Sequence, residues 1–591
     1  MCGIIGYCGQ KPAVPIIIEA LKRLEYRGYD SAGIASLSDG RLLIRKDAGK
    51  VDEVIRKHKL ANLPGNIAIG HTRWATHGGV TQFNAHPHSD CGNRVAVVHN
   101  GIVENNQELR QELTKAGHRF TSDTDTEVIP HLIEDELKNG CSLEQAVLNI
   151  APKLEGSYAF LVMAPDNPAK IVGTRRSNPL IVGINASDYY VSSDALAFSQ
   201  YTNQVMGLGD NEVVMLTQEG VQFFDPKGNR MAKEVRKLDH SWAETHKGGY
   251  QHFMLKEIME QAQMLGQTAC QDGKTFTKIA LDILRANQVI ITACGTSRYA
   301  ALVGRYLFSK VGKKFCDVIM ASEFGYFADS VDKNTVVIAV SQSGETADII
   351  EGVKAARDNG AQVISIINRP NSILADMSHQ VIYLNCGAEI AVAATKTFLS
   401  QLAIFYLLSF SMVDAFDEAT AKLASLNGEI TRVLDWNKSE LIRLSQNLKD
   451  KNDFYYIARG INFAIASEGA LKLKEISYAH AEGMPAGELK HGTLALIEPG
   501  TPVVVICPAD YTFSETLSNA IEAKSRGAYI IGVSDKESDI YDSWIKLPKV
   551  DELLYPMVAV VPLQLLAYYL AVNRGCDPDK PRNLAKSVTV K

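Results

Sequence analysis

Cys2 is the residue whose position says most about chemistry. Once an initiator methionine is removed, a cysteine at that place carries both its thiol and a free α-amine. An α-amine titrates at about 7.7 to 8.0, near the thiol's value of about 8.5, so it serves as a general base near neutral pH without a histidine. Nucleophile and base become one residue. A second set lies farther along. Ser341, Gln342, Ser343 and Thr346 follow an apolar run and open a helical pattern at Ala347, and Gly295, Thr296 and Ser297 repeat the arrangement after an earlier run. A loop from strand to helix offers unpaired backbone N–H groups and the positive end of a helix dipole, to which hydroxyls add donors and glycine adds close approach. Such a loop takes an anion. With no Walker lysine and no GxGxxG, the ligand expected is a monophosphorylated metabolite rather than a nucleoside triphosphate or a dinucleotide.

Two further patterns invite a metal reading. His86 and His88 alternate as on one face of a strand, without the nearby cysteine or carboxylate set that zinc needs. Asp123, Asp125 and Glu127 alternate too, yet lack the glycine and the terminal glutamate of a calcium loop. No catalytic metal is expected. Glu468, Lys472 and Glu475 lie three to four apart and share a helix face, which by pattern alone is equally a salt-bridge stripe.

The elements that position these residues follow from length and texture. A chain of 591 residues predicts three to five domains, at roughly 100 to 200 residues each. With 46% hydrophobic and 22% charged residues it has a globular composition, and its net charge of -6 gives no footprint for nucleic acid or an anionic membrane. Lys310, Lys313 and Lys314 form the densest basic cluster and read as a solvated helix end. Tyr555 to Val572 is apolar but interrupted by Pro556, Pro562 and Gln564, which predicts a buried helix and not a membrane span. The N-terminus lacks the basic flank and long apolar run of a secretory signal, and ten cysteines without CxxC pairs predict reduced thiols in the cytoplasm.

The first 240 residues are short apolar runs broken by Gly, Asn and Asp, with helical stretches between them, which predicts stacked sheets flanked by helices. A polar, irregular stretch from Lys233 to Gly249 marks the main boundary. Downstream, buried strands alternate with long helices, the texture of parallel sheets covered on both faces. Two of these blocks repeat. The segment at Val336 overlies that at Val503 with an offset of 167 residues, and ACG at Ala293 and ARG at Ala458 differ by 165, so one α/β unit is duplicated in tandem. The second copy has Pro508, Ala509, Asp510 and Tyr511 where the first has its serines and glycine. Only the first copy is expected to keep the anion pocket.

CGIIGY at Cys2, LEYRGYDSAG at Leu24, HTRWATHG at His71, NAHPH at Asn84, VHNGIVEN at Val98 and SDTDTE at Ser122 stand in this order. The set closely resembles the glutamine amidotransferases with an N-terminal nucleophile. That resemblance implies an α+β fold, a four-layer αββα sandwich, which releases ammonia from glutamine through a thioester. By the same resemblance Asn100 and Gly101 form the oxyanion hole, Arg73 binds the glutamine carboxylate and Asp125 its α-amine. Trp74, Thr76 and His77 lie on the same substrate loop, and Arg27 supports the loop that covers Cys2. CGTS at Cys294, SQSGET at Ser341 and the duplication look like sugar isomerase (SIS) domains, which implies two flavodoxin-like α/β parallel-sheet domains with the serine loop on a sugar phosphate.

Adding SEGALKLKEISYAHAEGMPAGELKHG from Ser467 to Gly492 and the terminal DKPRNLAKSVTVK, the chain is similar over nearly its whole length to the isomerising glutamine:fructose-6-phosphate aminotransferases. The resemblance implies L-glutamine and fructose 6-phosphate as substrates, and glucosamine 6-phosphate, the first committed step of amino-sugar synthesis, as the outcome. It implies that His491 opens the sugar ring, Lys586 holds the open chain as a Schiff base, Glu475 moves a proton between C1 and C2, and Lys472 assists at the sugar oxygen. Gly295, Thr296, Ser297, Ser341, Gln342, Ser343, Thr346, Val392 and Ala585 make up the expected sugar-phosphate set, and Trp74 gates the ammonia passage. The expected division is 1–240 for the glutaminase, 241–430 and 431–575 for the two SIS domains, and 576–591 for a tail completing the sugar site. A homodimer without redox cofactor, catalytic metal, nucleic acid or membrane is expected. Ala391 and Ala394 depart from the glycine and serine common in such chains, without removing a proposed catalytic group.

Overall fold

The structure is a computed structural model that describes residues 2–165, 170–238, 247–370 and 372–589. It divides into two compact units, Met1–Thr245 with Ala585–Lys591, and His246–Leu584. The division expected at 240/241 lies outside the described residues.

The first unit holds two antiparallel sheets. In the eight-stranded sheet, Gly3–Cys8 runs between Asp188–Ser192 and Ile67–Arg73, followed outward by Ser31–Ser38 and Arg41–Ala48. In the seven-stranded sheet, Ala96–Val103 pairs with His88–Ser89 and Gly156–Met163. Successive side chains point to opposite faces of a strand, and here both faces are covered. Ile4 and Cys8 join Val98 and Leu161 in a core between the sheets. Ile5 and Tyr7 instead pack with Ile17 and Leu21 of helix Ala13–Leu24. On the other side, Val97 and Phe160 meet Ile129 and Ile133 of helix Val128–Lys138. The result is helices, sheet, sheet, helices, and the doubly covered strands explain why the sequence shows apolar runs instead of alternation.

The second unit contains two five-stranded parallel sheets. In the first, Asp317–Met320, Gln288–Ala293, Thr335–Ser341, Gln362–Ile367 and Gln380–Tyr383 lie side by side in that order. In the second the order is His480–Pro485, Asp453–Ala458, Pro502–Ile506, Tyr529–Ser534 and Ser543–Lys546. Both are the flavodoxin-like 2-1-3-4-5 order. The repeat read from sequence is therefore a repeat of topology, strand for strand.

The two sheets share one helical core. Leu402 of helix Lys396–Ser411, Leu434 of helix Phe416–Leu448, Leu473 of helix Asn462–Ser477 and Val558 of helix Tyr555–Asn573 belong to a single apolar cluster with strand residues of both sheets. Positions 430 and 431, where a domain division is expected, fall inside the 33-residue helix Phe416–Leu448. Its Leu423, Leu426, Ile430, Val433, Leu434, Leu441 and Leu444 are buried at helical spacing. The stretch Glu552–Asn573 is long and apolar enough to cross a membrane, but 89% of its most apolar window is buried inside the protein. Gln564 there is satisfied by Gln261 Nε2 at 2.8 Å. Lys314 Nζ donates to the carbonyls of Leu284 and Ala286 and Lys313 Nζ to that of Lys310, so the basic cluster caps helix ends.

Candidate functional site

Cys2 precedes the central strand Gly3–Cys8, and the partner strand Ile67–Arg73 delivers Trp74 to it. The backbone N–H of Trp74 donates to Cys2 Sγ at 3.2 Å, and Sγ lies 3.5 Å from the Trp74 carbonyl. Arg27 Nε and Asn100 Nδ2 both donate to the Cys2 carbonyl, at 3.2 and 2.9 Å. Arg27 is itself fixed by Asp194 at 3.4 Å. Burial pushes the Cys2 thiol up, while the chain-terminal amine, the Trp74 N–H and Arg73 pull it down.

Asn100 has its orientation set from behind. His71 Nε2 lies 3.1 Å from Asn100 Oδ1 and 2.9 Å from the His99 carbonyl. Both partners are acceptors, so Nε2 carries the proton and the amide of Asn100 turns its N–H toward Cys2. Burial holds His71 down at about 3, a neutral ring at every working pH. Gly101 follows at φ +116°, where a Cβ would stand 2.0 Å from the Ser157 carbonyl oxygen, so no other residue fits. His86 and His88, with a metal reading rejected from sequence, are buried and held well below the ordinary value by desolvation. They take hydrogen bonds inside the core: His86 Nδ1 accepts from His99 N, and His88 Nε2 meets Thr124 Oγ1.

Arg73 is buried, and its guanidinium donates to the carbonyls of His77, Gly78 and Gly79, curling the substrate loop around itself. Thr76 is exposed on that loop, with Oγ1 3.4 Å from His77 Nδ1, and the half-buried Trp74 packs edge-on against Tyr29. Asp125 Oδ2 accepts from Val103 N at 2.8 Å. Asp30 Oδ2 accepts from Ala75 N and anchors the start of the loop.

In the second unit, Ala293 and Val340 are register partners, so the loops that follow them leave the same carboxyl edge side by side at the switch point of the sheet. Gly295 at φ +51° opens helix Gly295–Lys310. Ser341 Oγ accepts from Gly344 N at 2.9 Å and lies 3.5 Å from Thr346 Oγ1, while Ser343 Oγ accepts from Glu345 N. Gly344 has φ +67°, and a Cβ there would meet Ser372 Oγ at 2.1 Å. The Gln342 carbonyl accepts from Asn368 and Arg369. In the second sheet the matching loop carries Asp510 in place of the serines, and its carboxylate accepts from Asn462 Nδ2 and the Thr512 hydroxyl.

Helix Asn462–Ser477 brings a charged trio to the first crevice. Lys472 Nζ lies 2.5 Å from Glu475 Oε2, 3.5 Å from Glu468 Oε1 and 2.9 Å from Thr296 Oγ1. Thr296 in turn donates to Glu468 at 3.3 Å, and Gln401 Nε2 donates to Ser297 Oγ. Burial works against the Lys472 charge, but the two carboxylates outweigh it and hold the ammonium above its ordinary value. Burial drives fully enclosed Glu468 up to about 8, more than Lys472 lowers it. Glu475 is partly open, with its side chain 21% exposed.

Val392 N donates to the Asp579 carbonyl at 3.1 Å in the second unit. His491 ends the short helix Ala486–His491, is exposed, and makes no hydrogen bond or ion pair among the described residues. Ala585 and Lys586 are half-buried and belong to the compact unit of residues 1–245, apart from the unit that carries the other sugar-site candidates.

Aligned end to end, the chain is 48% identical to the glutamine–fructose-6-phosphate aminotransferase (isomerizing) of Thermococcus kodakarensis, covering 100% of both proteins. The chain belongs to that family. The aminotransferase of the same name from Pyrococcus horikoshii is 46% identical, again over 100% of each. Within this family assignment, residues 71–200 match the glutamine amidotransferase domain model, and residues 282–410 and 447–574 match the SIS domain model. A solved C-terminal domain of glucosamine-fructose-6-phosphate aminotransferase from Francisella tularensis superposes with a TM-score of 0.54 and 34% identity, over 57% of this chain and 100% of that one.

Sequence reasoning gave no role to His71 and read Glu468 only as part of a salt-bridge stripe. His71 heads the HTRWATHG motif, and only its position behind Asn100 shows what it does. Glu468 sits in the visible stripe with Lys472 and Glu475, but its complete burial has no sequence signal.

Proposed function

We propose that this chain transfers the amide nitrogen of L-glutamine to fructose 6-phosphate and releases glutamate and glucosamine 6-phosphate. The observation that carries this reading is that the Cys2 carbonyl and thiol are held by Asn100, Arg27 and Trp74, while the same chain gathers Glu468, Lys472 and Glu475 at a serine-lined switch-point crevice.

At the first site, Met1 is removed and the α-amine of Cys2 takes the thiol proton. The sulfur attacks the glutamine amide carbon, and negative charge on the oxygen is met by Asn100 Nδ2 and Gly101 N–H, each donor worth about 2.7 to 4 kcal/mol. The amine returns its proton to the leaving nitrogen, and ammonia departs to leave a thioester that water cleaves. Arg73 exchanges loop carbonyls for the substrate carboxylate, and Asp125 binds the α-amine. Thr76, His77 and Trp74 close over glutamine, and Trp74 gates the ammonia.

At the second site, Ser341, Gln342, Ser343 and Thr346, with the N–H groups of the loop at Gly295, Thr296 and Ser297, hold the phosphate. His491 opens the ring, Lys586 forms a Schiff base at the C2 ketone, and ammonia replaces it. Glu475 then takes a proton from C1 and gives it to C2, while Lys472 serves the sugar oxygen. Val392 and Ala585 line the same sugar. Because the His491 side chain is exposed and makes no hydrogen bond or ion pair among the described residues, we assign it to the sugar site of a second copy in a homodimer. All ten cysteines are free thiols, which supports a cytoplasmic setting.

The direct test incubates purified protein with glutamine and fructose 6-phosphate and assays glucosamine 6-phosphate. Wild type forms it in step with glutamate, and Cys2→Ala forms it only when ammonium is supplied. Product made by Cys2→Ala from glutamine would refute the reading. Light scattering of the native protein tests the dimer.

A further inference from the structure

The region behind the glutamine pocket holds a cluster that the proposed reaction does not use. Cys91 stands in the turn between His88–Ser89 and Ala96–Val103, His118 follows helix Asn106–Lys115, and His131 and Glu134 share a face of helix Val128–Lys138. Their ligand atoms, Cys91 Sγ, the two imidazoles and a Glu134 carboxylate oxygen, all lie within 4.8 Å of one another, the one such group found among the described residues. We infer that Cys91, His118, His131 and Glu134 bind a structural zinc ion.

The donors are a thiol, two imidazoles and a carboxylate, the borderline-soft set that suits zinc. Zinc bonds of about 2.0 to 2.3 Å in a tetrahedron place neighbouring ligand atoms about 3.3 to 3.8 Å apart. Cys91 Sγ lies 3.9 Å from His118 Nδ1 and 3.8 Å from His131 Nδ1, and Glu134 Oε2 lies 3.1 and 3.5 Å from the same two nitrogens. Both rings thus aim Nδ1 at one point. His118, His131 and Glu134 are buried, at 7, 0 and 5% exposure, while Cys91 closes the cluster from the solvent side.

The surroundings complete the site. His118 turns its outer Nε2 to Asp135, at 3.0 Å, the carboxylate partner that orients a metal-bound imidazole. Arg119 N–H donates to Cys91 Sγ at 3.3 Å and holds the sulfur facing the cluster. Asp90 accepts from Gly92, Arg94 and Val95 N–H groups and fixes the turn that presents Cys91.

Four protein ligands close the coordination shell and leave no place for substrate, so the ion is a fastener and not a catalyst. It ties three separate segments together. Between His118 and His131 runs the stretch with Asp125 and Glu127, whose carboxylates secure Val103, Thr121 and Ser122. The fastener therefore steadies Asp125.

The test measures metal in the full-length protein purified without chelators and after titration with zinc or cobalt alone. We expect about one zinc per chain, and with cobalt a sulfur-to-metal charge-transfer band that is absent from Cys91→Ala. Chelator-stripped protein is expected to melt at a lower temperature and to recover on zinc addition. Wild type that neither carries nor takes up zinc or cobalt overturns the inference, and so does uptake unchanged in both Cys91→Ala and His131→Ala. The cobalt titration uses wild type, so poor folding of a variant leaves the outcome decisive.

Discussion

Lys472 and Glu475 stand one turn apart on helix Asn462–Ser477 with Nζ and Oε2 separated by 2.5 Å, so the ammonium is aimed at the carboxylate assigned to proton transfer. Glu475→Gln keeps the shape and removes the base. Formation of glucosamine 6-phosphate is expected to fall by about 10²- to 10⁴-fold while glutamine hydrolysis at Cys2 persists. Assaying glutamate and amino sugar in the same reaction checks this, and equal loss of both would contradict it.

Glu468 gives the pH dependence a sign. Burial pushes its carboxyl up to about 8 in the folded protein, from an ordinary value of 4.5. Between those values the folded state keeps a proton that the unfolded state has lost, so stability falls as pH rises, by at most about 1.4 kcal/mol per unit. Lys472 is held above its ordinary value of 10.5 and stays protonated through that window, adding nothing to the slope. Melting curves of wild type and Glu468→Gln, taken from mildly acidic to mildly alkaline buffer, should diverge in favour of the variant as pH rises. Parallel curves would show that Glu468 is ionised throughout.

His71 is predicted to be a positioning residue. Removing the Asn100 amide, in Asn100→Ala, should lower kcat for glutamine hydrolysis by about 10²- to 10³-fold with little change in KM. His71→Ala leaves the amide in place without its guide and should lower kcat less. Synthesis from added ammonium should stay at the wild-type level in both. Because burial holds His71 at about 3, the wild-type rate should show no step at the ordinary histidine value.

Gly344 tests the phosphate loop. Its φ of +67° and the 2.1 Å approach of a Cβ to Ser372 Oγ leave no room for a side chain. Strain of about 1–3 kcal/mol corresponds to a rise of about 5- to 150-fold in KM for fructose 6-phosphate in Gly344→Ala. Glutamine hydrolysis measured without sugar should not move.

Legibility in the sequence followed range. Strand runs such as Val336 to Val340 and the offset between the two isomerase copies are local or repeated patterns, and they carried through to strand order in both sheets. The loops after Ala293 and Val340 were visible because strand, small residues and helix are contiguous. What a residue meets from a distant segment was not visible. His71 reaches Asn100 across two sheets, and Glu468 loses all water only once Thr296 and Lys472 close over it. The 33-residue helix through position 430 hides a domain division because one continuous apolar stripe serves two sheets. Cys91, His118 and His131 are spaced too widely to read as ligands.

The central claim is that Cys2, freed at the start of the mature chain, is the nucleophile. Mass spectrometry of the N-terminal peptide after reaction with a glutamine-like electrophile such as 6-diazo-5-oxo-L-norleucine tests it most directly. The account predicts a peptide that begins at Cys2 and carries one adduct, with glutamine hydrolysis lost in proportion. Fully active protein that retains Met1, or inactivation with the adduct on another cysteine, would contradict it.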